Sequence, residues 1–346
     1  MSDTTSTGPA LRPYPKISAK QRLGLSGVRE WIAVEKVHGA HFAVVCDGAG
    51  TRPAKRREPL GDDALDGFFG VSRIWPELSV AAARFASATR AAWGGDAVVT
   101  VYGELAGGRY PHPDVPAVAG VEPVQTGVWY APTPRWLPFD ASVETGGGRW
   151  WLSDRELRRT AADAGLVCIP VVGRGALNRL QELPCAFPTR APTLFGLPEL
   201  AENLAEGYVL KPAAEWPEAG PDGAGARPVV KVKQKAFAED ARFDGARPYL
   251  VPPQGAAGVP AWLLVQASSL LTPARAAAAV SKLGPRTSVD AVAEEIARDV
   301  SEELSEALGG LEEPLLHALG RALGPGVRAL AAFDAEDRSA AGPGRA

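Results

Sequence analysis

The chain has few of the residues that staple small folds or build metal centres. Its three cysteines, Cys46, Cys168 and Cys185, lie far apart and are odd in number, which excludes a disulfide framework and a paired zinc-ligand spacing. Four histidines, His38, His41, His112 and His317, do not make good that lack, because His38 and His41 together supply two ligands where zinc takes four. Long apolar runs are also missing. ARAAAAV from Ala274 is alanine-rich and far short of the roughly 20 residues of a membrane-spanning helix. The opening MSDTTSTGPALRP shows no basic-then-apolar order of a signal peptide. A soluble, cytoplasmic, monomeric protein with no membrane partner is the expectation. An excess of one charge is absent as well: the net charge is −3, and of 37 basic and 40 acidic side chains, 10 and 13 lie from Ala241 onward, so the part before it is neutral. Nucleic-acid binding would have to use local clusters such as Arg52, Lys55, Arg56 and Arg57, or Lys231, Lys233 and Lys235.

What is present is the composition of a globular protein long enough for two domains, with 346 residues, 46% hydrophobic and 22% charged. Up to about Phe237 the pattern is of short β-rich pieces broken by Pro/Gly turns: EWIAVEKVHG, HFAVVCDG, DAVVTVYGEL, GVWYAP, GYVLKP and PVVKVK. Helical spacing intrudes in the segment from Asp63 to Trp93 and in SDRELRRTAADAGL, where Ser153 and Glu156 form a capping-box pair. This is α+β order with antiparallel connections. AAEWPEAGPDGAGARP reads as a loose loop joining two strands. After about Ala261 the texture turns helical. Thr287 and Asp290 suggest a capping-box start, with Val289, Val292, Ile296, Val300, Leu304 and Leu308 on one face. Glu294, Glu295, Asp299, Glu302 and Glu306 lie opposite as a solvated face. The expected division is residues 1–250, a helical domain over 260–335, and a tail over 336–346.

Within EKVHGAHF, residues 35–42, a lysine sits in a pattern that otherwise reads as strand. A lysine there is costly unless something needs its amine. K-x-x-G alone is a weak signal, but four further pieces follow in order, AKRREPL, VYGELAGGRYP, AEGYVLKP and KVKQKAFAE, each placing charge inside a β-rich pattern. Together they describe a nucleotide-handling pocket. Lys36 is the candidate nucleophile for an α-phosphate, activated by partial burial near other cations. Lys231 and Lys233, two apart on a strand, share a face and are placed to hold α-phosphate oxygens. Glu104 and Glu206 are candidates for a ribose hydroxyl or a magnesium ion.

EKVHGAHF resembles the nucleophile motif of the RNA ligase 2 and RNA-editing ligase family, covalent nucleotidyltransferases akin to DNA ligases and mRNA-capping enzymes. AKR, YGELAGG, LPFDASV, EGYVLK and KxKxxxFxE follow in family order. The resemblance implies that Lys36 carries covalent AMP, flanked by Glu35 and His38. It implies that Arg56 and Glu104 serve the ribose and phosphate ends, and that Phe139 stacks on adenine with Asp140 in support. Glu206, as metal ligand, and Lys211, Lys231 and Lys233 would complete the phosphate machinery. Trp136 is a rival for the stacking role, and Ala40-His41 stands where the family often has Thr-Asn.

The implied architecture is an antiparallel-sheet nucleotidyltransferase domain followed by a small all-α C-terminal domain. The implied activity is ATP-dependent joining of RNA 3′-hydroxyl and 5′-phosphate ends, at nicks in duplex RNA, with magnesium or manganese. A DNA ligase or capping-type enzyme, and a nucleotide-binding protein that seals nothing, are the alternatives. The first of these predicts a β-rich OB-fold after the last lysine motif, where this chain turns helical.

Overall fold

In a computed structural model of the chain, residues 11–15, 17, 28–125, 127–218, 227–233 and 258–340 are described. The chain divides into two compact units, Met1–Gln234 and Lys235–Ala346.

The first unit is built on two antiparallel sheets. In chain order its elements are β1 (Trp31–Glu35), β2 (Ala40–Asp47), β3 (Gly50–Ala54), α1 (Trp75–Trp93), β4 (Val98–Arg109), β5 (Ala131–Thr145), β6 (Gly148–Trp151) and α2 (Asp154–Ala164). They continue with β7 (Val171–Gly175), α3 (Leu177–Gln181), β8 (Gly207–Pro212), β9 (Trp216–Pro217) and β10 (Val230–Lys233). One sheet has the order β10-β8-β1-β7 and the other β3-β2-β4-β5-β6-β9. Strand alternation gives each sheet an outer, helix-covered face. Phe42, Val44, Val99, Val101, Leu105, Trp136 and Val143 pack against Leu78, Phe85 and Leu157 of α1 and α2. Burying a side chain such as Phe85 there contributes roughly 1.5–3 kcal/mol. On the smaller sheet, Trp31, Ala33, Tyr208 and Leu210 pack with Leu180 of α3. The inner faces carry Ile32, Val34, Val209 and Lys211 on one side and His41, Tyr102 and Glu104 on the other; Ile32, Val34, Lys211 and Tyr102 are buried, while Val209, His41 and Glu104 stay partly exposed and border a cleft.

The expected strands differ in two instructive places. GVWYAP is not a strand at its start: β5 begins at Ala131 and takes in the proline-rich APTPRWLPFD. Pro134 and Pro138 are tolerated beside irregular register, with shifts between Tyr102 and Gly103 and between Gly107 and Arg109 of the partner strand. Second, EKVHG does not continue β1. Residues 36–39 lie between strands, carrying the chain from the small sheet into the large one. The expected loop after β8 contributes Trp216–Pro217 as an edge strand beside β6.

The second unit consists of α4 (Ala261–Ser269), α5 (Pro273–Leu283), α6 (Val289–Ala307) and α7 (Glu313–Ala340), around Leu263, Val280, Ile296, Val300, Leu319 and Leu330. Helix α6 is capped by Ser288, whose hydroxyl accepts from Ala291 N at 3.3 Å, while the Thr287 hydroxyl turns back to Leu283 O at 3.0 Å. The cap therefore lies one residue later than expected. Glu295 is not solvated: it is 2% exposed and ion-paired with Lys282 at 3.0 Å and with Arg298, because Lys282 on α5 reaches across. Leu308 lies past the helix end and is exposed. The segment expected as a tail from 336 is helical through Ala340, its last turn held by Arg338 to Asp334 at 2.8 Å and to Pro285 O at 2.8 Å. Among the described residues no single helix is long and apolar enough to cross a membrane.

The crossing at 36–39 depends on close backbone approach. A Cβ on Gly39 would lie 2.2 Å from the Leu105 carbonyl oxygen, so β2 can join β4 there only without one. Gly39→Ala is expected to lower the unfolding free energy by about 1–3 kcal/mol, as overpacking does. Gly48→Ala, where a Cβ meets nothing within 4 Å, should stay within about 0.5 kcal/mol of wild type. Urea denaturation of the two variants checks the contrast.

Candidate active site

Lys36 stands at the mouth of the cleft. Its backbone N–H donates to Gly207 O at 2.9 Å, which fixes the residue to the start of β8. Its Nζ is 2.5 Å from Glu206 Oε2, and Lys233 Nζ approaches the other oxygen, Oε1, at 2.6 Å. His38 Nδ1 lies 3.5 Å from Glu206 Oε2. Glu206 is 3% exposed and Lys36 24%, so a buried anion faces a cation that reaches solvent. Burial by itself would raise the Glu206 carboxyl, but Lys36, the His38 hydrogen bond and Lys233 together hold it well below the usual carboxylate range.

Glu104 and Lys231 complete this cluster. Glu104 pairs with His41 across β4 and β2, which puts it on the cleft face. Burial pushes its carboxyl up to about 7 against the pull of Lys36, with the Glu206 charge adding to the rise. Lys231 on edge strand β10 lies opposite Val209. Burial lowers it to about 8, helped by the charges of Lys233, Lys36 and Arg56. Arg56 follows β3, and its charge bears on His41, Glu104 and Lys231 together. Lys235, Phe237 and Glu239 of the last motif lie outside the described residues.

The deeper end of the cleft is aromatic above and ionic below. Pro138 opposes Gly103 and Asp140 opposes Tyr102, so Phe139 is the extra residue of a bulge. It is half-buried and packs against Tyr14, with ring centroids 5.1 Å apart, and His41, at 5.7 Å. Val209 projects from the facing strand, two residues from Lys211. Trp136 is placed otherwise: its ring lies over Gly103, where a Cβ would be 2.4 Å from Nε1, and its Nε1 donates to Phe42 O at 2.9 Å. That is the helix-covered side of the sheet, so Trp136 does not share the cleft with Phe139.

Asp140 is fully buried and accepts from Tyr14 OH at 2.9 Å and Arg227 at 2.6 Å, with Lys211 Nζ 3.3 Å away. Lys211 also donates to the Phe139 carbonyl. Burial opposes the Asp140 charge, yet Arg227, Lys211 and Tyr14 hold the carboxyl below its ordinary value. Lys211 therefore lies against Asp140 and the Phe139 backbone, apart from Lys231 and Lys233. Glu35 also stands apart. It is 0% exposed and faces away from Ile32 and Val34, accepting from the Thr189 hydroxyl and from Arg190 N at 2.8 Å.

Sequence reasoning missed Tyr14, Val209, Arg227 and Tyr130. Tyr130 is buried, and its hydroxyl oxygen accepts from His38 N at 2.7 Å. Val209 lies inside the EGYVLK motif, masked by its charged neighbours, while the other three carried no signal: Tyr14 and Arg227 sit in Pro-containing coil, and Tyr130 in a piece read as strand.

Comparison with known proteins adds an independent line. The RNA ligase family profile matches residues 29–233. Mitochondrial RNA-editing ligase 2 of Trypanosoma brucei brucei is 32% identical over 235 residues, 61% of this chain and 55% of that protein. Mitochondrial RNA-editing ligase 1 of the same organism is 28% identical over 228 residues, 57% and 48% of the two chains. The chain thus spans about half the length of these relatives. Structures of a Naegleria gruberi RNA ligase are more distant. One with PPi has a TM-score of 0.39 at 15% identity, covering 70% of this chain and 63% of that one, and a variant with ATP and Mn has 0.38 at 14%, covering 62% and 52%.

The raised Glu104 carboxyl has a measurable consequence. Its folded value of about 7 exceeds the ordinary 4.5, so the stability it adds is complete below the unfolded value and is lost as pH rises through the folded one. Between about pH 5 and pH 7.5, wild type should lose on the order of 1–3 kcal/mol relative to Glu104→Gln. Urea denaturation of both proteins at the two pH values gives that difference and cancels contributions from other groups.

Proposed function

The chain belongs to the RNA ligase family, and from that membership we propose that it is an ATP-dependent RNA ligase working through a lysyl-AMP at Lys36. The observation that carries the reading is the convergence of Lys36, Glu206, Lys233 and Lys231 at the mouth of a cleft whose depth is lined by Phe139. A nucleotide fits that order of chemistry. Its purine lies against Phe139 and Val209, its ribose near Arg56 and Glu104, and its α-phosphate among Lys36, Lys231 and Lys233.

Three transfers follow. The deprotonated Lys36 amine attacks the α-phosphorus of ATP, forming an N–P bond as the bond to the bridging oxygen breaks and pyrophosphate leaves. A 5′-phosphate oxygen of RNA then attacks that phosphorus, releasing Lys36 and leaving AMP joined to the RNA end. Last, a 3′-hydroxyl attacks the RNA 5′-phosphorus and AMP departs. Lys231 and Lys233 neutralise charge that grows on the α-phosphate oxygens in the first two steps. Magnesium or manganese suits the donors present, since such ions take one or two carboxylates together with substrate phosphates. Glu206, with Glu104 beside it, is the holder we assign. A metal there supplies charge neutralisation at the phosphates. In the structure Lys36 and Lys233 occupy both Glu206 oxygens, so Lys36 leaves Glu206 when it turns to the nucleotide.

Incubation with labelled ATP and magnesium tests the first step. Wild type should take up one covalent AMP and Lys36→Ala none, with an unchanged circular-dichroism spectrum. An adduct surviving in Lys36→Ala places the nucleophile elsewhere, and no adduct on wild type removes the ligase reading. End-labelled nicked duplexes and open single strands, in RNA and DNA, then establish which ends are joined.

Lys233→Ala should slow lysyl-AMP formation by about 10²–10³, the usual effect of losing one preorganised contact to developing charge. A rate within a few-fold of wild type reduces Lys233 to an edge-strand charge.

A further inference from the structure

The turn that carries Lys36 lacks a strand partner, because residues 36–39 cross from one sheet to the other. Backbone N–H groups in such a buried crossing have to find partners off the ladder. Lys36 N finds Gly207 O at 2.9 Å. His38 N finds a side chain, the Tyr130 hydroxyl, at 2.7 Å. Val37 between them is 4% exposed and Gly39 is pressed on Leu105. Tyr130 is itself 1% exposed, and the charges of Glu35, Glu206 and Glu104 all bear on its hydroxyl, which burial keeps protonated.

Tyr130 is also tied to the segment that leads into the carboxylate partner of Lys36. Trp129 N donates to Asn203 Oδ1 at 2.9 Å and Asn203 Nδ2 donates to Trp129 O at 2.7 Å, so one amide side chain clasps the Trp129 backbone from both sides. Asn203 is 6% exposed and stands three residues before Glu206. Its carbonyl accepts from Thr189 N at 2.9 Å, and the Thr189 hydroxyl bonds Glu35, the residue before Lys36. The contacts close a ring: Lys36 turn, Tyr130, Asn203, Thr189, Glu35 and back to Lys36. The nucleophile and Glu206 are fixed to the same frame.

Resting on the proposed ligase reading, we infer that Tyr130 and Asn203 are positioning residues for the Lys36 nucleophile, holding its turn through the His38 amide so that the amine meets the α-phosphorus in line. The Tyr130 hydroxyl is bonded to the His38 amide and not to the Lys36 amine, so it acts through the backbone. A displacement of about 1 Å at a nucleophile costs on the order of 10²-fold. Steps that make or break the Lys36–phosphorus bond feel it. Sealing of an RNA end that already bears AMP makes no bond to Lys36 and does not.

The test is Tyr130→Phe, which keeps the ring and removes the hydroxyl. Lysyl-AMP formation at saturating ATP should fall about 10- to 100-fold, with half-saturation by ATP within about threefold of wild type and sealing of a pre-adenylylated nick within about threefold. Hydrogen exchange at the His38 amide should accelerate in the variant, a readout independent of activity. Equal losses in AMP loading and in pre-adenylylated sealing, or a loading rate within twofold of wild type, overturn the inference. Should Tyr130→Phe fail to fold, Asn203→Ala removes both side-chain bonds to the Trp129 backbone without adding a charge, and the same selective loss of loading is required of it. If wild type forms no lysyl-AMP at all, the ligase reading itself has failed, an outcome distinct from any of these.

Discussion

The Glu206 carboxylate governs this site. An ionised carboxylate at 3% exposure is far too costly to bury alone, and it is stable only because Lys36, Lys233 and His38 surround it. They come from two parts of the chain: Lys36 and His38 from the crossing between β1 and β2, and Lys233 from the end of β10. The anion therefore does more than pair with Lys36. It draws the edge strand of the small sheet and the crossing turn to one point. Compensation of this kind is conditional on its partners, so ligand binding that recruits Lys36 has to replace the charge it removes from Glu206. A cation or a second lysine can do so, and Lys231 stands beside the pair with its proton held less tightly than usual.

A second ionic knot sits deeper, around Asp140, and serves a different end. Tyr14, Lys211 and Arg227 converge on one fully buried carboxylate, and Lys211 also grips the carbonyl of Phe139. The Phe139 backbone is thus braced by buried charges. Two lysines in neighbouring motifs, Lys211 and Lys231, lie on one sheet face in different surroundings: Lys211 is buried among fixed partners, and Lys231 is partly exposed.

The division of labour between the sheets follows from their outer faces. Helices α1 and α2 cover one and α3 the other, which consumes the apolar residues of alternate strand positions. The remaining positions are free to hold polar and aromatic groups without costing the core. His41 is a boundary case: it is an inner-face residue whose imidazole burial holds neutral, its acidity shifted to about 3. It packs among the rings of Tyr14, Tyr102 and Phe139.

The sequence by itself determined the class of fold and most of the charged chemistry. Strand alternation with interrupted glycines and prolines gave the β-rich first unit and the helical second one. Lys36, Glu104, Glu206, Lys231 and Lys233 stood out because charge inside an apolar alternating pattern is expensive and local, and so visible in a few consecutive residues. Tertiary structure alone decided which charges meet. Glu35 and Lys36 are adjacent, yet a strand end sends one to Thr189 and the other to Glu206. Phe139 and Asp140 are adjacent, and alternation would send them to opposite faces, but the bulge between Pro138 and Asp140 turns both toward the inner side of the sheet. Glu295 reads as solvated until Lys282 on another helix covers it. Tyr14, Tyr130 and Arg227 carry no local pattern. Their partners lie 126, 92 and 87 residues away, and such pairings are set by how two sheets face each other, which nearest-neighbour periodicity does not encode.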